Sequence, residues 1–274
     1  MTTAVEITER LRLAGCVFPE REASLISQAF ASAAERDEAV ARRETGVPLE
    51  YVVGTAVFGD VTIAIGPPAF IPRARAVTLV DSADRLVDSA DRLAGTEPGS
   101  RWTVLDLGCG AGPIAAALRR RHPQWEVHAC DHDTGALAWA RRNGATFGFA
   151  VHEGDWFDAL PRALEGKLDL VVAHLPYVPT TAVRLLPRDF RDHEPRHTVD
   201  GGADGLDPFR VVAAGCRRWL AADGVLLTLV GQEQAATVLA FAADHRLGVE
   251  LAPADEATGD SVVVSLRRST GKPA

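Results

Sequence analysis

The sequence has few cysteines, and they lie far apart in the chain. Its 274 residues contain only Cys16, Cys109, Cys130 and Cys216, and no two of these form a C-x-x-C motif. This scattering argues against a disulfide framework and against cysteine-based zinc sites. We therefore predict that the cysteines are small core residues and that the protein has no metal site.

Positive charge and long apolar runs are also scarce. The net charge is −8, which argues against general binding to nucleic acid or to an anionic membrane. No apolar stretch approaches the roughly 20 residues of a membrane span, and the first residues lack the basic and apolar regions of a signal peptide. Because 47% of the residues are hydrophobic, a sizeable core is expected. These features predict a cytoplasmic globular enzyme.

The most informative segment is a glycine-rich turn that follows an apolar strand. The strand contains Asp106, and three glycines follow at alternating positions, Gly108, Gly110 and Gly112. Glycines allow a tight turn and let a ligand lie against the backbone. Asp131 ends the next predicted strand, where a carboxylate can bind ribose hydroxyls. The pattern predicts a site for a nucleoside cofactor.

The spacing of these glycines distinguishes between two cofactors. A dinucleotide site has G-x-G-x-x-G, but Pro113 occupies the position of the third glycine. Proline is compatible with a first helical turn but not with close packing of that helix on its strand. The D-x-G-x-G-x-G pattern is similar to motif I of class I S-adenosylmethionine-dependent methyltransferases. A dinucleotide enzyme and an inert glycine-rich turn remain less favoured alternatives.

Three regions are visible along the chain. Residues 1–75 combine a helical bundle with a β-hairpin, predicted from near-alternating residues between Leu49 and Ile71 that include Tyr51-Val52-Val53 and turn near Gly59-Asp60. Residues 76–100 form a linking helix in which the segment VDSADRL occurs twice, at 80–86 and 87–93. A seven-residue period keeps apolar residues on one stripe, so we predict one packed amphipathic helix. A coiled-coil seam is a lesser alternative because two heptads are too few.

Residues 101–274 alternate between strand and helix patterns. Strands are predicted near 102–107, 125–130, 149–153, 168–173, 225–230, 248–252 and 261–267, and helices near 112–121, 134–147, 206–221 and 232–245. This alternation is typical of an α/β fold with a doubly wound, mostly parallel, seven-stranded sheet. The stretch from His174 to Asp207 contains no convincing element. A loop of this length after the fourth strand is usually functional.

Motifs over nearly the whole length resemble one family. These motifs are G-x-P-L-x-Y-x-x-G at 46–54, Phe58-Gly59, Ile71-Pro72-Arg73, the glycine turn, Asp131, Gly154-Asp155-Trp156-Phe157, Glu194-Pro195, DGGADGLD at 200–207, Arg210, and G-x-x-Q at 231–234. The chain resembles the HemK-type methyltransferases, which methylate the side-chain amide of the glutamine in the Gly-Gly-Gln motif of peptide-chain release factors. The resemblance implies a class I methyltransferase fold and S-adenosylmethionine as cofactor.

The resemblance also implies roles for individual residues. Asp106 belongs to the cofactor loop, whose glycines let the methionine part of the cofactor approach the backbone. Asp131 accepts hydrogen bonds from the ribose; the alternative for Asp131 is a helix N-cap. Asp155 accepts from the adenine amine and Trp156 stacks on its ring, unless the pair is only a turn acid and a core aromatic. Phe58, Arg73 and Glu194 are expected on the substrate side.

The catalytic tetrapeptide departs from the family pattern. The family has Asn-Pro-Pro-Tyr after strand four, whereas this chain has His174-Leu175-Pro176-Tyr177. In the family, the asparagine oxygen and a backbone carbonyl accept the two amide hydrogens, and the tyrosine packs on the amide plane. We place His174, Pro176 and Tyr177 in the active site, with His174 as acceptor or general base. A histidine that only ends the strand is the alternative. The family also has the motif Pro-Arg-x-x-Thr-Glu. In this chain, Ala76-Val77 stands in place of its Thr-Glu.

One further motif matches a different class of enzyme. The segment from His193 to His197 matches H-E-x-x-H, the zinc protease motif, which requires a continuous helix. Pro195 lies between the histidines and disfavours a helix. We therefore predict a solvated loop, in which Glu194 and Arg196 lie near the substrate entrance.

The sequence thus favours methyl transfer from S-adenosylmethionine, with release-factor glutamine as the implied acceptor. Because the tetrapeptide is altered, a related enzyme acting on a small molecule or another nucleophile through His174 remains an alternative. A cofactor-binding module without catalysis is a lesser one.

Overall fold

The computed structural model describes residues 4–94, 100–187, 191–254 and 260–268. The chain begins with three helices, α1 (Ala4–Leu13), α2 (Pro19–Ala29) and α3 (Ala33–Glu44). Their apolar faces form a small core of their own that includes Ile7, Leu11, Ile26 and Val40. A capping box begins α3, because the Ser32 hydroxyl accepts from the Glu35 N–H and the Glu35 carboxylate accepts from the Ser32 N–H. The predicted helical bundle is present.

A short helix and a hairpin follow. Helix α4 (Leu49–Val53) precedes β1 (Thr55–Phe58) and β2 (Val61–Ala64), which pair around Gly59-Asp60 as predicted. The prediction that residues 51–53 are extended was wrong. The helical turn begins after Pro48 and ends at Gly54 with φ +74°, so Tyr51 and Val52 enter different cores. The aromatic and β-branched residues of this turn are typical of strands, but here they pack a helical turn between two cores.

Helix α5 (Val77–Ala94) contains the repeated segment. Val80, Ala83 and Val87 are buried on one stripe, so the predicted amphipathic packing is confirmed for this part of the helix. The side chains beyond residue 89 of this helix, and residues 95–99 of the predicted linking region, lie outside the described residues. Asp81 and Asp84 of the first copy bind Arg121.

A seven-stranded sheet forms the centre of the remaining chain. It consists of β3 (Thr103–Leu107), β4 (Glu126–Asp131), β5 (Ala150–Glu153), β6 (Leu168–Ala173), β7 (Leu220–Gly231), β8 (Leu247–Pro253) and β9 (Ser261–Arg268). The strand order is β5-β4-β3-β6-β7-β9-β8, and β9 runs antiparallel to both of its neighbours. The predicted mostly parallel, doubly wound α/β class is confirmed.

Helices cover both faces of this sheet. Helices α6 (Pro113–Arg121) and α7 (Thr134–Phe147) share a core with α5 and the hairpin, while α8 (Asp207–Trp219) and α9 (Ala235–Asp244) pack on the opposite face. Three of the four cysteines are buried, and Cys16 is half-buried. No helix in the described part of the chain is long and apolar enough to span a membrane.

Candidate active site

A cavity opens at the carboxyl ends of β3, β4 and β6. We call it the inner cavity; its volume is about 240 Å³. One side, the glycine wall, is formed by Asp106, Gly108, Gly110, Asp131 and Trp156, and Phe58, Arg73, His174 and Pro176 also line the cavity. In a doubly wound sheet such a crevice forms at the carboxyl ends of the strands, at the point where the strand order reverses. Most of the predicted site residues are therefore brought together.

The glycine turn has the backbone conformation that its residues suggest. Gly108, Gly110 and Gly112 have φ of +73°, +55° and +79°, a region that is unfavourable for side chains. Gly108 N–H donates to the Cys130 carbonyl at 2.9 Å, which joins the turn to β4. Gly112 does not line the inner cavity. A Cβ there would lie 2.8 Å from the Phe149 ring, so this glycine permits close packing at the start of α6.

Asp131 lies at the tip of β4 and faces the turn. Its Oδ2 accepts from the Gly110 N–H at 2.8 Å and its Oδ1 from the Asp133 N–H at 2.9 Å. The alternative role of Asp131 as a helix N-cap is wrong, because Asp133 caps α7 by accepting from Gly135 N–H and Ala136 N–H. The remaining lone pairs of the Asp131 carboxylate are available to ligand hydroxyls.

Asp106 is a second carboxyl group in the glycine wall. It is buried, and its Oδ2 accepts from the Ala115 N–H at 2.9 Å. Burial, together with the nearby Asp131, raises the pKa of Asp106 to about 7. A buried carboxyl group in this position is suited to a cationic ligand group, such as an α-amino group.

Trp156 and Asp155 have different positions. Trp156 lines the inner cavity and adopts φ +45°, a conformation that is rare for a bulky residue and is often found at functional sites. Asp155 is exposed, and it is not among the described residues that line the cavity. Its contact with adenine therefore stays a prediction.

The predicted tetrapeptide follows β6, and its first three residues, His174 to Pro176, also line the inner cavity. A second, outer cavity of about 290 Å³ adjoins it and shares Phe70, Arg73, His174, Leu175 and Pro176 with it. We call the residues around this junction the tetrapeptide wall: Phe70, Arg73, Arg75 and His174 to Tyr177. Residues of both walls line the inner cavity, so a donor held by the glycine wall and an acceptor held by the tetrapeptide wall can meet there.

His174 is half-buried between two aromatic rings. Its ring centroid lies 6.0 Å from that of Phe70, in an edge arrangement, and 6.2 Å from that of Tyr177. Burial lowers the pKa of His174 to about 4, and Arg73 and Arg75 contribute to the shift. The imidazole is therefore neutral near pH 7 and can accept a hydrogen bond.

An ion pair fixes the position of Arg73. The Arg73 guanidinium contacts the Glu194 carboxylate and donates to the Ile71 carbonyl at 3.0 Å. Glu194 is buried, which raises its pKa, and it accepts from the Ile71 N–H at 3.0 Å. Glu194 is not among the described residues that line either the inner or the outer cavity, so it supports Arg73 from behind.

The long segment after β6 is held in place by hydrogen bonds from Gln234, which follows β7. Gln234 donates to the carbonyls of Tyr177 (3.0 Å) and Asp204 (2.9 Å) and accepts from the Gly231 N–H (2.7 Å). Gly205 has φ +79°, and a Cβ there would overlap the Tyr177 carbonyl oxygen and the Gln234 amide nitrogen. The DGGADGLD and G-x-x-Q motifs therefore position the tetrapeptide backbone.

The H-E-x-x-H segment does not form a helix. The prediction that Pro195 prevents a continuous helix is confirmed, and a 3₁₀ turn begins at Arg196. The prediction of a solvated loop was wrong for Glu194, which is buried. His197 lines the inner cavity and lies 3.5 Å from the Asp133 carboxylate, whereas His193 lies near Gly46. Arg196 binds Asp200, so its predicted place at the substrate entrance stays a prediction.

Sequence reasoning missed Phe70, Arg75 and His197. The first two flank the matched Ile71-Pro72-Arg73 run, so proximity to that motif was the available signal. His197 was considered only as part of a zinc motif. No pattern in the sequence marks it as a neighbour of Asp133 in space.

Comparisons with known proteins show which family the chain belongs to. The family model described as the methyltransferase small domain matches residues 77–190. A release factor glutamine methyltransferase of Gloeobacter violaceus is 35% identical over 251 residues, which cover 89% of this chain and 84% of that protein. The chain belongs to the release factor glutamine methyltransferase family. The predicted family, fold and cofactor, S-adenosylmethionine, are thereby confirmed.

Other relatives match over a shorter part of their length. The proteins of the same name in Geobacter sulfurreducens and Prochlorococcus marinus are 35% and 38% identical, over 73% and 66% of this chain, and the chain covers 66% and 60% of their lengths. Among solved structures, the N-terminal domain of human METTL16 in complex with SAH aligns with a TM-score of 0.57 at 13% identity, over 94% of this chain and 93% of that one. This likeness shows a shared fold.

Proposed function

We propose that this protein transfers a methyl group from S-adenosylmethionine to the side-chain amide nitrogen of a glutamine in a peptide-chain release factor. The observation that carries the proposal is that the glycine wall and His174 to Pro176 of the tetrapeptide wall line one cavity, which shares residues with the outer cavity that Tyr177 lines. Family membership and the release-factor names of the relatives support the acceptor.

The glycine wall fits the cofactor. Bound S-adenosylmethionine would supply an activated methyl group on its sulfonium. Asp131 presents free lone pairs for the ribose, Asp106 a buried carboxyl group for the amino group, and Trp156 an aromatic face for the adenine. The open glycine backbone leaves room for the methionine part.

The chemical difficulty lies in the acceptor. An amide nitrogen is a weak nucleophile because its lone pair is delocalised, so catalysis depends on holding it in line with the methyl group. We expect a neutral His174 nitrogen to accept one amide hydrogen, the Pro176 carbonyl to accept the other, and Tyr177 to pack on the amide plane. A pKa of about 4 makes His174 a weak base near pH 7, which favours the role of acceptor over general base.

Incubation of the purified protein with labelled S-adenosylmethionine and a release factor tests the proposal. We expect one labelled peptide, which contains the Gly-Gly-Gln glutamine, and no label on a release factor in which that glutamine is alanine. Tyr177→Ala should lower turnover more than cofactor affinity. Label only on small molecules of a cell extract would favour the alternative acceptor, and cofactor binding with no transfer to any acceptor would favour a binding module. Either result would overturn the proposal.

A further inference from the structure

The outer cavity is positively charged, unlike the chain as a whole. The protein has a net charge of −8, yet two of the residues around this cavity are arginines. None of the described residues that line it is acidic. The potential inside such a pocket attracts anionic groups.

The two arginines differ in their partners. Arg73 is neutralised by the buried carboxylate of Glu194. Arg75 is exposed and donates to the Tyr177 hydroxyl at 3.1 Å, a neutral acceptor, and no described carboxylate pairs with it. The phenol hydrogen bond holds the guanidinium at the cavity while leaving most of its five N–H donors unused. Such a planar group binds a carboxylate with two parallel hydrogen bonds.

We infer that Arg75 forms an anion subsite of the outer cavity, which binds a carboxylate of the acceptor segment close to the methylated glutamine. The inference rests on the proposed function, because it takes the outer cavity as the place where the acceptor enters. Arg75 contacts Tyr177, and Tyr177 lies beside His174. A carboxylate held by Arg75 is therefore near the point of transfer, and it selects among acceptor sequences.

Three short peptides test the subsite. Each contains Gly-Gly-Gln, with glutamine, glutamate or lysine at both of the two positions after the target glutamine. We expect the wild-type protein to have a KM for the glutamate peptide about three- to fivefold below that for the glutamine peptide, as for an exposed ion pair. The values of kcat should be alike, and the difference should shrink with added salt.

Variants of Arg75 separate charge recognition from a structural effect. Arg75→Gln should abolish the preference, Arg75→Lys should retain part of it, and Arg75→Glu should reverse it in favour of the lysine peptide. Arg142→Gln removes the same charge from an exposed position on α7 outside the outer cavity and should keep the wild-type preference. A merely structural role of Arg75 would change all three peptides equally.

Binding of the same peptides, fluorescently labelled, to the protein saturated with S-adenosylhomocysteine provides a second measurement. A charge preference in binding that depends on Arg75, without methyl transfer to the peptides or to an intact release factor, would retain the subsite and reject the proposed function. Methyl transfer without a preference in the wild type, or with an equal preference in Arg75→Gln, would reject the subsite alone. Failure of every peptide to bind would reject the subsite, and methyl transfer to the intact release factor would then decide whether the proposed function stands.

Discussion

The two walls of the inner cavity are built in different ways. The glycine wall depends on contacts between adjoining strand ends, such as the hydrogen bond from Gly110 to Asp131, which joins residues 21 positions apart. The tetrapeptide wall depends on contacts across the chain: Gln234 to Tyr177 spans 57 positions, Arg75 to Tyr177 spans 102 and Arg73 to Glu194 spans 121. The first wall comes mostly from the consecutive elements β3, α6 and β4. The second wall joins segments that lie far apart in the chain. A substitution that damages one wall should therefore leave the function of the other wall intact.

The largest expected effect is at Gly205. Gly205→Ala should lower methyl transfer by about a hundredfold, because the added Cβ displaces the Tyr177 backbone and small misplacements of reacting groups cost about that much. Affinity for S-adenosylhomocysteine, measured by calorimetry, should stay within about threefold. Gly166→Ala is the matched control, since Gly166 also has a positive φ (+71°) but open space around it. An equal loss of activity in both variants would show that backbone strain, not the tetrapeptide wall, is responsible.

Asp131→Ala should damage the other wall. We expect the affinity for the cofactor to fall by about 1–3 kcal/mol, the scale of hydrogen bonds to a charged group. Asp158→Ala, which removes an exposed carboxylate of the nearby 3₁₀ turn, should leave the affinity unchanged. Titration calorimetry that shows equal affinities for Asp131→Ala and the wild type, or tight NAD binding by either, would contradict the assignment of the glycine wall.

Asp106 makes the stability of the glycine wall depend on pH. Its pKa rises from an ordinary value near 3.8 to about 7 on folding, so the folded protein favours the protonated form. The free energy of unfolding should therefore decrease as pH rises from about 4 to about 7. Asp106→Asn keeps an oxygen for the Ala115 N–H and should remove most of this decrease, measured by urea unfolding at several pH values. Parallel pH curves for the two proteins would exclude the shift.

The smallest effect concerns His174 in the tetrapeptide wall. An ordinary histidine would cause methyl transfer to fall as pH drops through about 6.5. Because its pKa is lowered to about 4, protonation of His174 should instead affect the rate only near pH 4. His174→Asn should therefore change the pH profile between 6 and 8 by less than about twofold. A loss centred near pH 6.5 that disappears in His174→Asn would show that the histidine titrates normally and acts as a base.

The sequence could predict those features that depend on neighbours along the chain. The turn from Gly108 to Gly112, Asp131 at the end of the next strand and the alternation of strands and helices follow from local spacing and from the rule that parallel strands end at one edge. The local pattern was misleading at Tyr51-Val52-Val53, because aromatic and β-branched residues that are typical of strands here pack a helical turn between two cores.

Only the tertiary structure decided how the tetrapeptide wall is built. The support of Arg73 by Glu194, the contact of Arg75 with Tyr177 and the clamp formed by Gln234 join distant segments whose approach no spacing encodes. The pKa of His174 was likewise beyond sequence analysis, since it depends on burial and on two arginines nearly 100 residues earlier. The sequence by itself thus determined the class of enzyme and its cofactor side, while folding decided the protonation state and charge of the acceptor side, because desolvation and through-space charge exist only in the packed protein.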